Sequence, residues 1–124
     1  MQIKDYIISL GFKAKDGVDG VFIKKFASHN NYAIEVDFLS ETINYGDQIT
    51  CESKTTQNFS QPENFVVLEC VERLLTKGYK PKDVTLEKTY PSGRGHSGRL
   101  DILVKKDKKA FLMIECKTWG KEFD

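Results

Sequence analysis

Arg99-Leu100-Asp101-Ile102-Leu103-Val104 and Ala110-Phe111-Leu112-Met113-Ile114-Glu115-Cys116-Lys117 are two short apolar runs separated by Lys105-Lys106-Asp107-Lys108-Lys109. Runs of this length around a polar turn predict a β-hairpin. Charged residues stand at the strand ends away from the turn, where turn residues are usual. A carboxylate on an otherwise apolar strand is costly unless it is paired or bound to a cation. Asp101 and Glu115 therefore require partners.

Pairing Val104 with Ala110 across the turn sets Asp101 opposite Met113. Side chains alternate faces along a strand, so Glu115 shares the face of Met113 and Asp101. Asp101 and Glu115 become diagonal neighbours about 7–8 Å apart. Two carboxylates so placed can share one cation, and Lys117 projects from the same face. The alternative is a structural ion pair, with Lys117 or Arg99 neutralising the acids. A slip of one residue in register would move every partner to the opposite face. Cys116 alternates to the buried face, which argues against a nucleophilic role.

Upstream, Ser60-Gln61-Pro62-Glu63 opens a helix. Ser60 with Glu63 three residues on is a capping-box pattern, and Pro62 suits a first turn. Phe65, Val66, Leu68, Val71, Leu74 and Leu75 form its apolar stripe until Gly78 stops it. A strand over Val84–Tyr90 follows. The loop Ser92-Gly93-Arg94-Gly95-His96-Ser97-Gly98 then leads into the hairpin. That loop precedes a strand rather than a helix, so it is no dinucleotide fingerprint. Helix, strand, loop, strand and strand in this order make an α+β layout, with one helix on a mixed sheet.

Nearer the start, Ile3, Tyr6, Ile7 and Leu10 have helical spacing ending at Gly11. Asp16-Gly17-Val18-Asp19-Gly20 is turn chemistry. Val21-Phe22-Ile23 and Tyr32–Leu39 read as strands around a His29-Asn30-Asn31 turn. In the second, Tyr32, Ile34, Val36 and Phe38 face one way, and Glu35 and Asp37 form the wet face. The polar run Ser40–Ser60 predicts a further short strand and a surface loop. Residues 1–59 thus form a β-rich lead-in to a unit over 60–124.

The 124 residues amount to one domain's worth of chain, with 40% hydrophobic and 30% charged residues. No apolar run approaches the roughly 20 residues of a membrane span. Cys51, Cys70 and Cys116 are widely spaced and predict free thiols in a reducing cytoplasm. With His29 and His96 they offer no zinc spacing. The net charge of +1 conceals an asymmetry: residues 1–60 carry six basic and eight acidic residues, and 61–124 carry thirteen and ten. Lys88, Arg94, Arg99, Lys105, Lys106, Lys108 and Lys109 dominate 88–109. Such a patch attracts phosphates even on a near-neutral protein, unless it is simply a solvated hairpin tip.

Asp101, followed after thirteen intervening residues by Glu115-Cys116-Lys117, resembles the D…ExK motif of the PD-(D/E)xK nuclease superfamily. Gly98–Val104 and Met113–Thr118 are similar to the nuclease segment at the N-terminus of type I restriction enzyme R subunits and related restriction–modification polypeptides. The helix opened by Gln61-Pro62-Glu63-Asn64 resembles that family's upstream helix. The resemblance covers about residues 60–120.

What the resemblance implies is a restriction-endonuclease-like mixed sheet with flanking helices and a Mg²⁺-dependent DNA endonuclease activity. Asp101 and Glu115 would bind Mg²⁺, joined by the backbone carbonyl of Cys116 and waters. Lys117 would orient or help deprotonate the attacking water. Glu63 would hold a metal-bound water or a second ion, with Glu69 as the fallback. Lys88, Arg94, Arg99, Lys105, Lys106 and Lys108 would contact phosphates of double-stranded DNA. Methyltransferase and specificity subunits or domains would be the other partners. Family members continue past the ExK strand into a helix, so the expectation is an N-terminal fragment lacking the C-terminal part of the core. The competing expectation is a noncatalytic DNA-binding or subunit-docking module on the same fold.

Overall fold

The computed structural model describes residues 2–91, 97–107 and 109–116, with residues 54, 88–91 and 97–100 described by backbone alone. Helix α1 (Ile3–Ser9) follows the spacing of Ile3, Tyr6 and Ile7 and buries Ile7. It ends at Gly11, whose φ of 99° suits glycine and whose N–H bonds Ile8 O at 2.9 Å. Strands β1 (Lys13–Ala14), β2 (Val21–Phe26), β3 (Tyr32–Asp37) and β4 (Thr42–Asn44) form an antiparallel sheet in that order. In β3 the predicted alternation holds, with Tyr32, Ile34 and Val36 buried and Ala33, Glu35 and Asp37 half-buried. Asn30 and Asn31 turn the chain between β2 and β3 with φ of 57° and 60°, a region asparagine tolerates better than most residues.

Strand β5 (Thr50–Cys51) leaves this sheet and pairs parallel with β6 (Val84–Pro91), opening a second sheet. Strands β7 (Ser97–Lys106) and β8 (Lys109–Ile114) complete it antiparallel, in the order β5-β6-β7-β8. The described residues thus contain two helices and two four-stranded sheets, an α+β arrangement whose second sheet is mixed. Among them no helix is long and apolar enough to cross a membrane.

Helix α2 (Glu63–Thr76) joins the two sheets. Its buried Val67, Leu68, Val71 and Leu75 belong to one apolar core with Ile34, Val36 and Ile43 of the first sheet and Val84, Leu86, Ile102 and Val104 of the second. That core draws on residues from both sides of position 60. A chain of edge-to-face rings, Phe22–Phe38–Phe59–Phe65, runs from the first sheet to α2 with centroids 5.5, 5.5 and 5.0 Å apart. Polar ties follow the same route: Tyr6 donates to Glu69, Lys24 pairs with Glu72, and His29 Nε2 lies 2.9 Å from Leu75 O. At the far end Gly78 bonds Leu75 O and Tyr79 bonds Leu74 O, both at 3.1 Å, closing the helix as a Schellman motif.

The start of α2 corrects the capping-box expectation. Its cap position is Pro62, already helical at φ −57° and ψ −33°, and no side chain caps the end. Ser60 is held elsewhere, its N–H donating to Asn58 Oδ1 at 2.9 Å. Asn64 anchors the helix instead. Its buried amide donates to Thr55 O at 2.7 Å and Asn58 O at 2.8 Å, drawing the preceding loop onto the first turn.

The loop from β4 to β5 is organised by the Tyr32 hydroxyl. It donates to Tyr45 O and accepts from the N–H groups of Gln48 and Ile49, each at 3.1 Å. Gly46 makes this approach possible, because a Cβ there would fall 2.5 Å from the same oxygen. Tyr32→Phe leaves both N–H groups without that acceptor. The expected cost is about 2 kcal/mol, read as a lower urea midpoint with unchanged slope. A midpoint equal to wild type would contradict this role.

Candidate functional site

The hairpin forms between the expected segments, but its register differs from the expected one. Val104 pairs with Leu112 rather than Ala110, and Lys105 pairs with Ala110. A bulge between Val104 and Lys105 inserts Phe111 as an extra residue. The turn residue Asp107 takes a left-handed φ of 54°. Leu103 therefore faces Met113 and Ile102 faces Ile114. Carried one step further, this ladder sets Asp101 opposite Glu115 rather than diagonal to it. The displacement is two residues, so the faces survive. Ile102 and Val104 enter the core, whereas Met113 is 64% exposed and Glu115 is exposed. Opposed residues stand about 4.5–5.5 Å apart at Cβ, closer than the diagonal geometry anticipated.

Beyond Ile114 the ladder is replaced by a side chain. Asp101 Oδ2 accepts the Cys116 N–H at 2.7 Å. One carboxylate oxygen thus ties the end of β8 to β7. Asp101 is half-buried. Cys116 is buried, as its place in the alternation predicts, and lies against α2 with Sγ 3.7 Å from Cys70 Sγ. The Cys116 thiol donates in this contact. That bond holds the Cys70 thiol below its ordinary range and Cys116 above it. Burial pushes Cys51 up to about 11.

Helix α2 runs alongside the hairpin in a defined sense. Tyr79, just past its C-terminal end, meets Phe111 near the hairpin turn, and Cys70 meets Cys116 at the open end. Glu63, seven residues before Cys70, lies about 10 Å further along the axis at 1.5 Å per residue. Its end of the helix is the carboxylate end of the hairpin. Glu69 is committed elsewhere, to Tyr6 and Arg73.

Sequence reasoning missed Glu87. The pairs Leu86–Ile102 and Lys88–Leu100 bracket it, so it stands level with Asp101 on the neighbouring strand. It is buried, with a left-handed φ of 57° inside a central strand. Such a conformation costs on the order of 1–3 kcal/mol for a non-glycine residue. The legible signal was a carboxylate interrupting Val84-Thr85-Leu86. Glu87 and Asp101 are neighbours on β6 and β7, and Glu115 comes one residue past β8. Among the described residues, however, no three acidic, histidine or cysteine side chains converge as a metal-ligand group.

Of the candidate phosphate contacts, Lys105 and Lys106 are exposed at the hairpin turn. Lys88 and Arg99 lie on the β6–β7 ladder, where Lys88 faces Leu100 and Arg99 faces Thr89. Arg94, His96, Lys108 and Lys117 lie outside the described residues.

No protein-family model, curated protein or solved structure matches the chain. Two outcomes follow from the geometry. Asp101→Asn keeps an acceptor for the Cys116 N–H and should unfold within about 1 kcal/mol of wild type, whereas Asp101→Ala should lose about 1.5–3 kcal/mol. Equal losses in urea titrations would contradict the bond. At about pH 8, iodoacetamide should label Cys70 before Cys51 and Cys116, since the thiolate is the nucleophile. Peptide mass spectrometry reads the order, and equal rates would contradict it.

Proposed function

We propose that this chain is a Mg²⁺-dependent DNA endonuclease domain of a bacterial type I-like restriction–modification enzyme, built on a restriction-endonuclease-like core. One juxtaposition carries the reading. Asp101 is hydrogen-bonded to the Cys116 N–H at 2.7 Å, at the end of a ladder whose continuation sets Glu115 opposite Asp101. Two carboxylates therefore adjoin the Glu115–Cys116 peptide at the open end of a hairpin, on a mixed sheet covered by one helix.

The donor set fits the ion. Carboxylate and carbonyl oxygens are hard ligands suited to Mg²⁺, which keeps several waters and needs few protein groups. When bound, Mg²⁺ supplies Lewis-acid polarisation of a phosphoryl oxygen and acidifies a water. Asp101 and Glu115 hold the ion, and Asp101 also fixes the main chain around Cys116. Lys117 orients or deprotonates the attacking water and offsets charge developing on the phosphoryl oxygens. Glu63 steadies a water from the N-terminal end of α2. Lys88, Arg99, Lys105 and Lys106 contact backbone phosphates of double-stranded DNA, positioning it without reading sequence. Methyltransferase and specificity subunits or domains supply target choice.

A second reading is favoured by Phe111 and Met113, 54% and 64% exposed on a strand at the edge of its sheet. Apolar side chains at an edge suit a noncatalytic DNA-binding or subunit-docking module.

Relaxation of supercoiled plasmid separates the two. Mg²⁺-dependent cutting is expected, falling at least about a hundred-fold in Asp101→Ala, Glu115→Ala and Lys117→Ala. Cutting unchanged in Asp101→Ala and Lys117→Ala would sink the catalytic assignment. DNA binding with no cutting by any form favours the docking module.

A further inference from the structure

At the opposite end of the hairpin from Asp101, an open groove of about 670 Å³ lies between the end of α2 and the β7–β8 turn. Four exposed lysines line it: Lys77 and Lys80 from the helix side, Lys105 and Lys106 from the hairpin. Asp83 and Asp107 also line it, leaving an excess of positive charge. Its apolar part is a ring pair. Tyr79 and Phe111 stand with centroids 6.1 Å apart and planes tilted by 44°, and Lys106 Nζ lies 5.2 Å from the Phe111 centroid.

Phe111 is the informative residue. It is 54% exposed, and it is the residue that the Val104–Lys105 bulge adds to β8. Bulges re-aim side chains, and this one accompanies a ring set beside Tyr79 rather than buried in the core. A half-exposed ring beside four lysines offers a stacking face and positive charge together, the pair of features that a planar, anionic ligand uses.

We propose that this groove binds single-stranded nucleic acid, with a base stacked on the Tyr79–Phe111 pair and flanking phosphates held by Lys77, Lys80, Lys105 and Lys106. Unpaired bases expose π-faces that a duplex hides in its stack, and lysines track the backbone without regard to sequence. An acidic peptide would use the lysines but has no need of the ring. The groove is four residues along β7 from Asp101, or roughly 13 Å at about 3.3 Å per residue. It shares Lys105 and Lys106 with the duplex phosphate contacts proposed above, but its ring pair lies apart from Asp101 and does not depend on metal there.

The test is fluorescence anisotropy in EDTA, so that cutting plays no part. The probes are a labelled oligothymidine of about ten nucleotides, a duplex of the same length and a labelled polyglutamate peptide. Phe111→Ala should weaken single-strand binding about ten-fold and leave duplex binding within about two-fold. Phe111→Trp should restore binding, which separates loss of the ring from loss of the fold. Lys77→Gln combined with Lys80→Gln should lower the slope of log affinity against log salt by about 0.7 per lysine. Duplex affinity that falls as far as single-strand affinity in Phe111→Ala, or single-strand affinity indifferent to Phe111→Ala, would overturn the proposal. Polyglutamate binding without oligothymidine binding would overturn it in favour of an acidic peptide. Absence of plasmid cutting would leave it standing, because no metal enters the assay.

Discussion

Helix α2 is buried on the faces it turns to both sheets, and the rest of the molecule is arranged by that constraint. Val67, Leu68, Val71 and Leu75 have essentially no exposure. Each contributes about 1.5–3 kcal/mol of burial. The polar ties from α2 to Tyr6, Lys24 and His29 orient the first sheet, and the Cys70–Cys116 contact orients the second. The position of the hairpin against α2 therefore determines where its two ends lie. One brings Asp101 and Cys116 beside the middle of the helix at Cys70, and the other brings Phe111 and the turn lysines to its C-terminal end.

The hairpin's ends differ in chemistry. At the open end an oxygen of Asp101 does the work of a ladder carbonyl, so the residue proposed to hold a cation also closes the strand pair. This double duty explains how a half-buried carboxylate is tolerated there: an N–H bond offsets part of its desolvation. It also means that loss of activity in Asp101→Ala would mix two effects, which the asparagine variant separates. At the turn end a one-residue bulge brings aromatic surface and positive charge into a single groove.

Much of this was legible in the chain. The alternation Tyr32, Ile34, Val36 marked a half-buried strand, and the stripe Phe65–Leu75 ending at Gly78 marked α2 nearly to the residue. The hairpin also followed from periodicity. What failed was local and physical. The turn and the one-residue bulge after Val104 each shifted the register by one residue, an even total, which spared the faces of the paired residues and altered the pairing. Asn64 anchored the helix start through main-chain carbonyls of a loop nine residues back, a non-local tie that a capping-box pattern does not reveal. The parallel pairing of β5 with β6 joins residues 35 apart in sequence, beyond the reach of local periodicity. Glu87 was passed over because its left-handed backbone is invisible in the residue order.

The central claim is that a divalent cation sits between Asp101 and Glu115, beside the Cys116 peptide. Mn²⁺, which replaces Mg²⁺ at oxygen sites, broadens the NMR signals of nearby amides, so a titration of the ¹⁵N-labelled protein locates the ion directly. The expected result is loss of the Asp101, Ile102, Glu115 and Cys116 amide signals at lower Mn²⁺ than those of Lys105, Lys106 and Phe111, and loss of that order in Asp101→Asn. Broadening centred instead on the acidic turn Asp16–Asp19, or unchanged by Asp101→Asn, would contradict it.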